Sequence, residues 1–351
     1  MGEGGDVMLK DGLYEKVVSD SLSDELASLP HKYKELAAID KAEAAKILAQ
    51  YVAAVVERGL KSVRDNSEDI ASQVSLVNEI IATVQEKTQE QDFSAMKVDE
   101  TGQQLLALYD RQDSILALGA RGKEKVDRPE TSLAQSSLFT GAVHEPQMYT
   151  ELKKEIASCN RIDMLVSFIK WSGLRLLMDE LQHFTQNGGK LRIITTSYMG
   201  ATDVKAIKEL SKLLNTRIKV SYDTQRTRLH AKAYVFYRDT GYTTAYIGSS
   251  NLSQAAMSSG LEWNVKITAQ DQPETLAKIA ATFASYWESR EFETYTAAEE
   301  LRLYRALRDE KYFKEAIPPA IRWMCGPILI SRKYWINWRR SGLCGGYIAI
   351  S

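Results

Sequence analysis

Residues 228–265, RLHAKAYVFYRDTGYTTAYIGSSNLSQAAMSSGLEWNV, decide the fold. Apolar residues alternate along LHAKAYVFY, TTAYIGS and LEWNV, so each reads as a strand. Asp239-Thr240-Gly241 is the turn of a hairpin between the first two. His230 and Lys232 stand two apart, and the period-two alternation of a strand puts both side chains on one face. The second strand leads into Gly248-Ser249-Ser250-Asn251, a turn that can present hydroxyl, amide and backbone donors beside that face. Glu262 follows on a further strand.

Upstream, short β-rich runs alternate with helical ones. DMLVSFI precedes a helix around 174–185; KLRIITTSY precedes one around 203–214; RIKVSY comes next. Strands separated by helices, then adjacent strands, predict an α/β sandwich with a mixed sheet. Helical pattern returns over 273–289 and again over 297–314.

Residues 12–118 read as helical. Asp40 and Glu43 resemble a capping box ahead of a helix over 41–58, with Gly59 at the expected C-terminal cap. A second helix is expected over 67–91, where Ile70, Val74, Val77, Ile80, Ile81 and Val84 recur at threes and fours. The expected organisation is a helical N-terminal domain over 1–118, a polar linker over 119–140, a catalytic domain over 141–295, a helical connector over 296–319 and a basic tail over 320–351.

The chain has 351 residues, 44% of them hydrophobic, and a formal net charge of -1. That apolar content excludes a mainly disordered chain, and the charge excludes a globally basic nucleic-acid coat but not a local basic cleft. Three cysteines without metal-ligand spacing fit a reducing compartment. The N-terminus carries no apolar h-region, Asp6 stands where a myristoylation signal has Ser or Thr, and no run approaches 18 apolar residues. The expectation is a cytoplasmic protein without a membrane partner.

One His, one Lys, Ser249, Asn251 and Glu262 can converge without a metal ligand set. That combination suits attack on a phosphodiester. A histidine can become covalently phosphorylated, and a second can protonate the leaving oxygen. Lysine and asparagine can hold the non-bridging oxygens, and a carboxylate can steady the imidazole. No cofactor and no metal is expected. Arg226 and Arg228 flank the H-x-K strand and, with Ser250, are candidate phosphate contacts; a solvated basic edge is the plain alternative for the arginines. His31 and His183 read as surface residues, and His144 sits at a helix start in HEPQM.

These motifs resemble the phospholipase D superfamily, whose signature is H-x-K, an Asp five residues after the Lys, then G-S-x-N. His230, Lys232, Gly248, Ser249 and Asn251 match, whereas the Asp position holds Tyr237. Glu262, eleven residues after Asn251, is similar to the Glu of metal-independent nucleases and restriction enzymes that lack the Asp. Asp239, in the hairpin turn, is a poorer substitute. TSYMGATD (196–203, with Thr196 first), RLHAKAY, AYIGSSNLS and GLEWN together resemble a bacterial group in which such a nuclease domain precedes a DEAD/DEAH-box helicase, in proteins of restriction or phage-defence type.

The resemblance implies a phosphodiester hydrolase acting on DNA. It also implies a homodimer, because the superfamily's active site uses two H-x-K motifs and this chain has one. A weak nucleic-acid-binding or targeting module and a lipid-head-group phospholipase are the other readings. The chain lacks a Walker A motif, since Asn187-Gly188-Gly189-Lys190 is followed by Leu191, so any helicase ATPase would be a partner encoded downstream. Residues 316–351 hold no Asp or Glu, five Lys or Arg, three of six Trp and two of three Cys. That break in composition reads as a frameshift product from about Gly326 on a truncated helicase-nuclease, poorly ordered and dispensable for stability; a basic, aromatic tail that binds nucleic acid is the plain alternative.

Overall fold

The computed structural model describes residues 12–28, 34–66, 69–108, 127–142, 144–223, 229–253 and 262–316. His31, Arg226, Arg228 and the tail over 320–351 lie outside the described residues. The chain divides into two compact units, Met1–Ala107 and Leu108–Ser351.

In the first unit, α1 (Asp20–Ala27) starts at Ser19, whose hydroxyl accepts from Leu22 N at 3.3 Å. Ala42 N donates to Asp40 Oδ1 at 2.7 Å, and α2 (Ala44–Asn66) begins just after. α2 runs through Gly59 instead of ending there. A Cβ at Gly59 would stand 3.8 Å from Leu76 Cδ2, so the glycine sits against α3 (Ile70–Thr88), and its propensity cost of about 1 kcal/mol does not stop a helix packed on a neighbour. Asp69 caps α3 by accepting from Ala71 N at 3.0 Å, and Gln89 ends it in the left-handed region at φ 60°. The helical expectation fails over 97–108, which carries no helix. Val98 instead pairs its backbone with the Asn78 side chain through bonds of 2.8 and 3.0 Å.

The second unit is built on one mixed sheet of eight strands in the order β1-β7-β6-β5-β2-β3-β4-β8. The strands are β1 (Ser137–Phe139), β2 (Arg161–Val166), β3 (Lys190–Thr196), β4 (Thr216–Ser221), β5 (Lys232–Tyr237), β6 (Thr244–Gly248), β7 (Asn264–Thr268) and β8 (Phe292–Thr294). β2, β3 and β4 are mutually parallel, and the remaining pairs are antiparallel. The helices are α4 (Met148–Ala157), α5 (Trp171–Leu174), α6 (Met178–Gln186), α7 (Val204–Ser211), α8 (Pro273–Glu288) and α9 (Glu300–Ala316). Residues 137–139, inside the stretch expected to be a linker, form the edge strand β1 against β7.

Each face of the sheet has its own apolar layer. Leu152, Ile156, Leu181, Ile207 and Leu210 pack with Ile162, Met164, Ile193, Tyr234 and Tyr246 on one side. On the other, Phe283 and Trp287 of α8 cover Leu165 and Ile194, and Leu276 covers Val235, Ala245 and Ile267. One charge cluster is sealed beneath α4. Glu155 accepts from Arg238 at 2.6 Å, Thr244 at 2.8 Å and Tyr246 at 2.9 Å, and pairs with Lys266 at 3.0 Å. Every member is buried, so the carboxylate offsets two desolvated cations.

Candidate active site

The sheet register gathers one end of five strands. Val166, at the carboxyl end of β2, pairs with Lys232 at the amino end of β5, and Gly248 at the end of β6 pairs with Asn264 at the start of β7. The parallel strand β3 ends on the same side. The crevice outside strand carboxyl ends is where α/β sheets place ligands.

His230 lies just before β5 and is exposed, whereas Lys232, its first residue, is only 6% exposed. The two side chains meet: Lys232 Nζ stands 3.0 Å from His230 Nδ1 and 3.3 Å from Nε2, and donates to His230 O at 2.7 Å. Burial pushes the Lys232 ammonium below its ordinary pKa, and the negative charge of Glu262 works against that shift. The Phe168 ring meets the imidazole edge-on, with centroids 6.4 Å apart.

Asn251 Oδ1 accepts from Phe168 N at 3.1 Å. That bond fixes the amide's orientation and makes Nδ2, the end that can donate to a phosphate, the opposite one. Ser249 and the start of β7 hold each other: Ser249 N donates to Trp263 O at 3.1 Å, and Trp263 N donates to Ser249 Oγ at 3.1 Å. Gly248 is required by this approach, because a Cβ there would lie 2.1 Å from Trp263 O.

Ser250, expected to touch substrate, is instead fully buried. Its hydroxyl accepts from Asn264 Nδ2 at 2.7 Å and its backbone N donates to Asn264 Oδ1 at 3.4 Å, so it faces the protein and fixes the turn. His144 and His183 stand apart from this end: His144 precedes α4, and His183 is in the last turn of α6.

Tyr237 occupies the signature's Asp position at the far end of β5. Five residues at about 3.4 Å each put it roughly 17 Å along the strand from Lys232. There Arg161 lies over its ring at 3.7 Å, and burial, with Asp163 nearby, raises its phenol to about 12. Asp239, past the same end, is just as remote, while Glu262 adjoins Asn264 at the site end. The departure at Tyr237 therefore removes no group from beside His230.

Phe168, Asn264, Lys170 and Asp203 were not singled out from sequence. Phe168 read as one more strand residue, and Asn264 and Asp203 stood inside quoted motifs without a role. Only packing shows which backbone groups they satisfy.

The H-x-K residues and the G-S-x-N turn thus lie at one end of a mixed sheet. Residues 152–287 match the family model described as cardiolipin synthase, PLD-like domain. Among solved structures the chain is similar to NucT from Helicobacter pylori, at 20% identity over 44% of this chain and 96% of that one, with a TM-score of 0.33. It is also similar to Nuc of Salmonella typhimurium, a phospholipase D family member, at 18% identity over 46% of this chain and 100% of that one, with a TM-score of 0.36. A phosphatidylserine synthase from Haemophilus influenzae aligns at 12% identity over 52% of this chain and 47% of that one, with a TM-score of 0.33. Comparison with curated proteins gives no match. Among the described residues no helix is long and apolar enough to cross a membrane.

Proposed function

We propose that this domain is a nuclease that cleaves DNA phosphodiesters through a phosphohistidine at His230, without a metal. The observation that carries the reading is the contact between Lys232 Nζ and the His230 ring at the sheet end where Asn251 is anchored. An imidazole nitrogen of His230 attacks phosphorus, a P–N bond forms and the P–O bond to the leaving strand breaks. His230 of the partner subunit gives its proton to the departing oxygen. Water then attacks the phosphohistidine and releases the 5′ or 3′ phosphate, with the partner subunit's His230 now accepting a proton. Lys232 and Asn251 Nδ2 hold the non-bridging oxygens as charge builds, and the Glu262 charge opposes the burial that lowers the Lys232 pKa.

The homodimer follows from the chemistry, which uses two histidines while the chain has a single H-x-K. A downstream helicase partner and a restriction or phage-defence role rest on the motif resemblance alone, and sequencing the locus tests them. The nuclease reading is tested by incubating labelled DNA with the protein in EDTA. Cleavage that disappears in His230→Ala, with a labelled covalent adduct trapped in the wild type by acid quench, is expected. Full activity in His230→Ala, or a strict need for Mg²⁺, overturns it.

A further inference from the structure

Asp203 stands outside both signature motifs, at the N-cap position of α7, where an aspartate ordinarily accepts from the helix's first backbone N–H groups. Its side chain makes no such bond. It reaches instead to the segment after β2: Oδ2 accepts from Trp171 N at 2.9 Å, Oδ1 pairs with Lys170 Nζ at 3.2 Å, and Asp203 N donates to Ile169 O at 2.8 Å. The neighbouring Thr202 hydroxyl accepts from Ile169 N at 3.4 Å.

The opposite side of that segment is held by the G-S-x-N turn. Phe168 N donates to Asn251 Oδ1 at 3.1 Å, and Lys170 N donates to Leu252 O at 2.7 Å. Ile169 and Leu252 form an isolated parallel bridge. Gly173 closes the fit, since a Cβ there would lie 2.5 Å from Ser253 N. The helix α5 begins only at Trp171, and the backbone N–H groups of residues 168–171 all donate to partners outside the segment. Phe168, in the middle, touches both Asn251 and the His230 ring.

We propose that Asp203 is a positioning residue for this site: by clamping 168–173 it sets, through Phe168, where the Asn251 amide and the His230 ring stand. The proposal rests on the phosphodiesterase reading for its effect on turnover, but not for its effect on the backbone. A misplacement of about 1 Å at reacting groups costs on the order of 10²-fold in rate.

The test compares Asp203→Ala and Asp203→Asn in the full chain. Asp203→Ala is expected to lower kcat on DNA about 10²-fold with KM little changed. Asp203→Asn keeps an acceptor for Trp171 N and loses only the half-exposed pair with Lys170, so it should stay within roughly fivefold of wild type. Combining Asp203→Ala with Asn251→Ala should cost less than the two single losses together, because both act in part through one amide. Amide hydrogen exchange, read without reference to activity, should show Phe168 and Trp171 losing protection in Asp203→Ala. Unchanged exchange at Phe168, or additive rate losses in the double variant, overturns the proposal. A wild type that cuts no DNA sinks the nuclease reading and leaves the exchange result to decide the clamp by itself.

Discussion

Glu262 lies two residues before β7 and Lys232 opens β5, and the carboxylate of one opposes the desolvation of the other. Lys232 is drawn into the sheet end, where burial lowers the pKa of its ammonium and the Glu262 charge raises it. The pair therefore sets the pH range over which the lysine is a cation beside His230.

Replacing Glu262 by Gln removes the raising influence and leaves burial unopposed. Lys232 should then lose its proton at a lower pH. The alkaline limb of the kcat profile on DNA is expected to move to lower pH in Glu262→Gln, with the acid limb less affected. An alkaline limb that stays where the wild type has it would show that Glu262 does not protect the lysine's charge.

The homodimer reading makes a separate prediction about mixed chains. A composite site built from one His230→Ala and one Lys232→Ala protomer lacks one histidine and one lysine. Co-refolding the two variants should restore little cleavage. Light scattering on the wild type should report a dimer, and a monomer that cuts DNA would end the shared-site mechanism.

Gly248→Ala probes the turn geometry independently of chemistry. Its new methyl would collide with Trp263 O at 2.1 Å and Asn264 Cα at 2.7 Å, both of them backbone atoms. Chemical denaturation should show a loss of about 1–3 kcal/mol, the usual cost of overpacking. A variant as stable as wild type would mean that β7 can retreat from β6.

Local pattern made some of this legible and left the rest hidden. Strands β2 to β7 announced themselves through apolar alternation or short apolar runs, and the Asp239-Thr240-Gly241 turn was plain because Gly241, at φ 85°, takes a conformation suited to glycine. β1 and β8 were not seen: each has three residues, too few to show a period, and each exists only because a longer strand offers it an edge. Gly59 misled because its packing against α3 is a tertiary fact. At the site, residue types and spacing marked His230, Lys232 and Asn251. Burial decided that Ser250 turns inward, and the extent of β5 that Tyr237 sits at its far end from Lys232.

Glu155 offers the sharpest test of what holds this sheet to α4. Burial by itself would push its carboxyl up, but Arg238 and Lys266 outweigh burial and hold it below the usual carboxylate range. A carboxylate whose pKa is depressed by folding adds stability that is present above its unfolded pKa and is lost as pH falls through the folded one. Wild-type stability should therefore decline on acidification below about pH 4, the ordinary range of an unfolded Glu. Tyr246 and Thr244 donate to different oxygens of Glu155, so Glu155→Gln retains an acceptor for only one of them and leaves two buried cations without their counter-charge. Breaking a buried pair from one side typically costs about 3–5 kcal/mol. Urea denaturation at neutral pH should show a loss of that size, and the gap between wild type and variant should narrow as the wild-type carboxylate is protonated. A gap that is small at neutral pH, or that widens in acid, would mean the cations find other partners and that the cluster does not anchor α4.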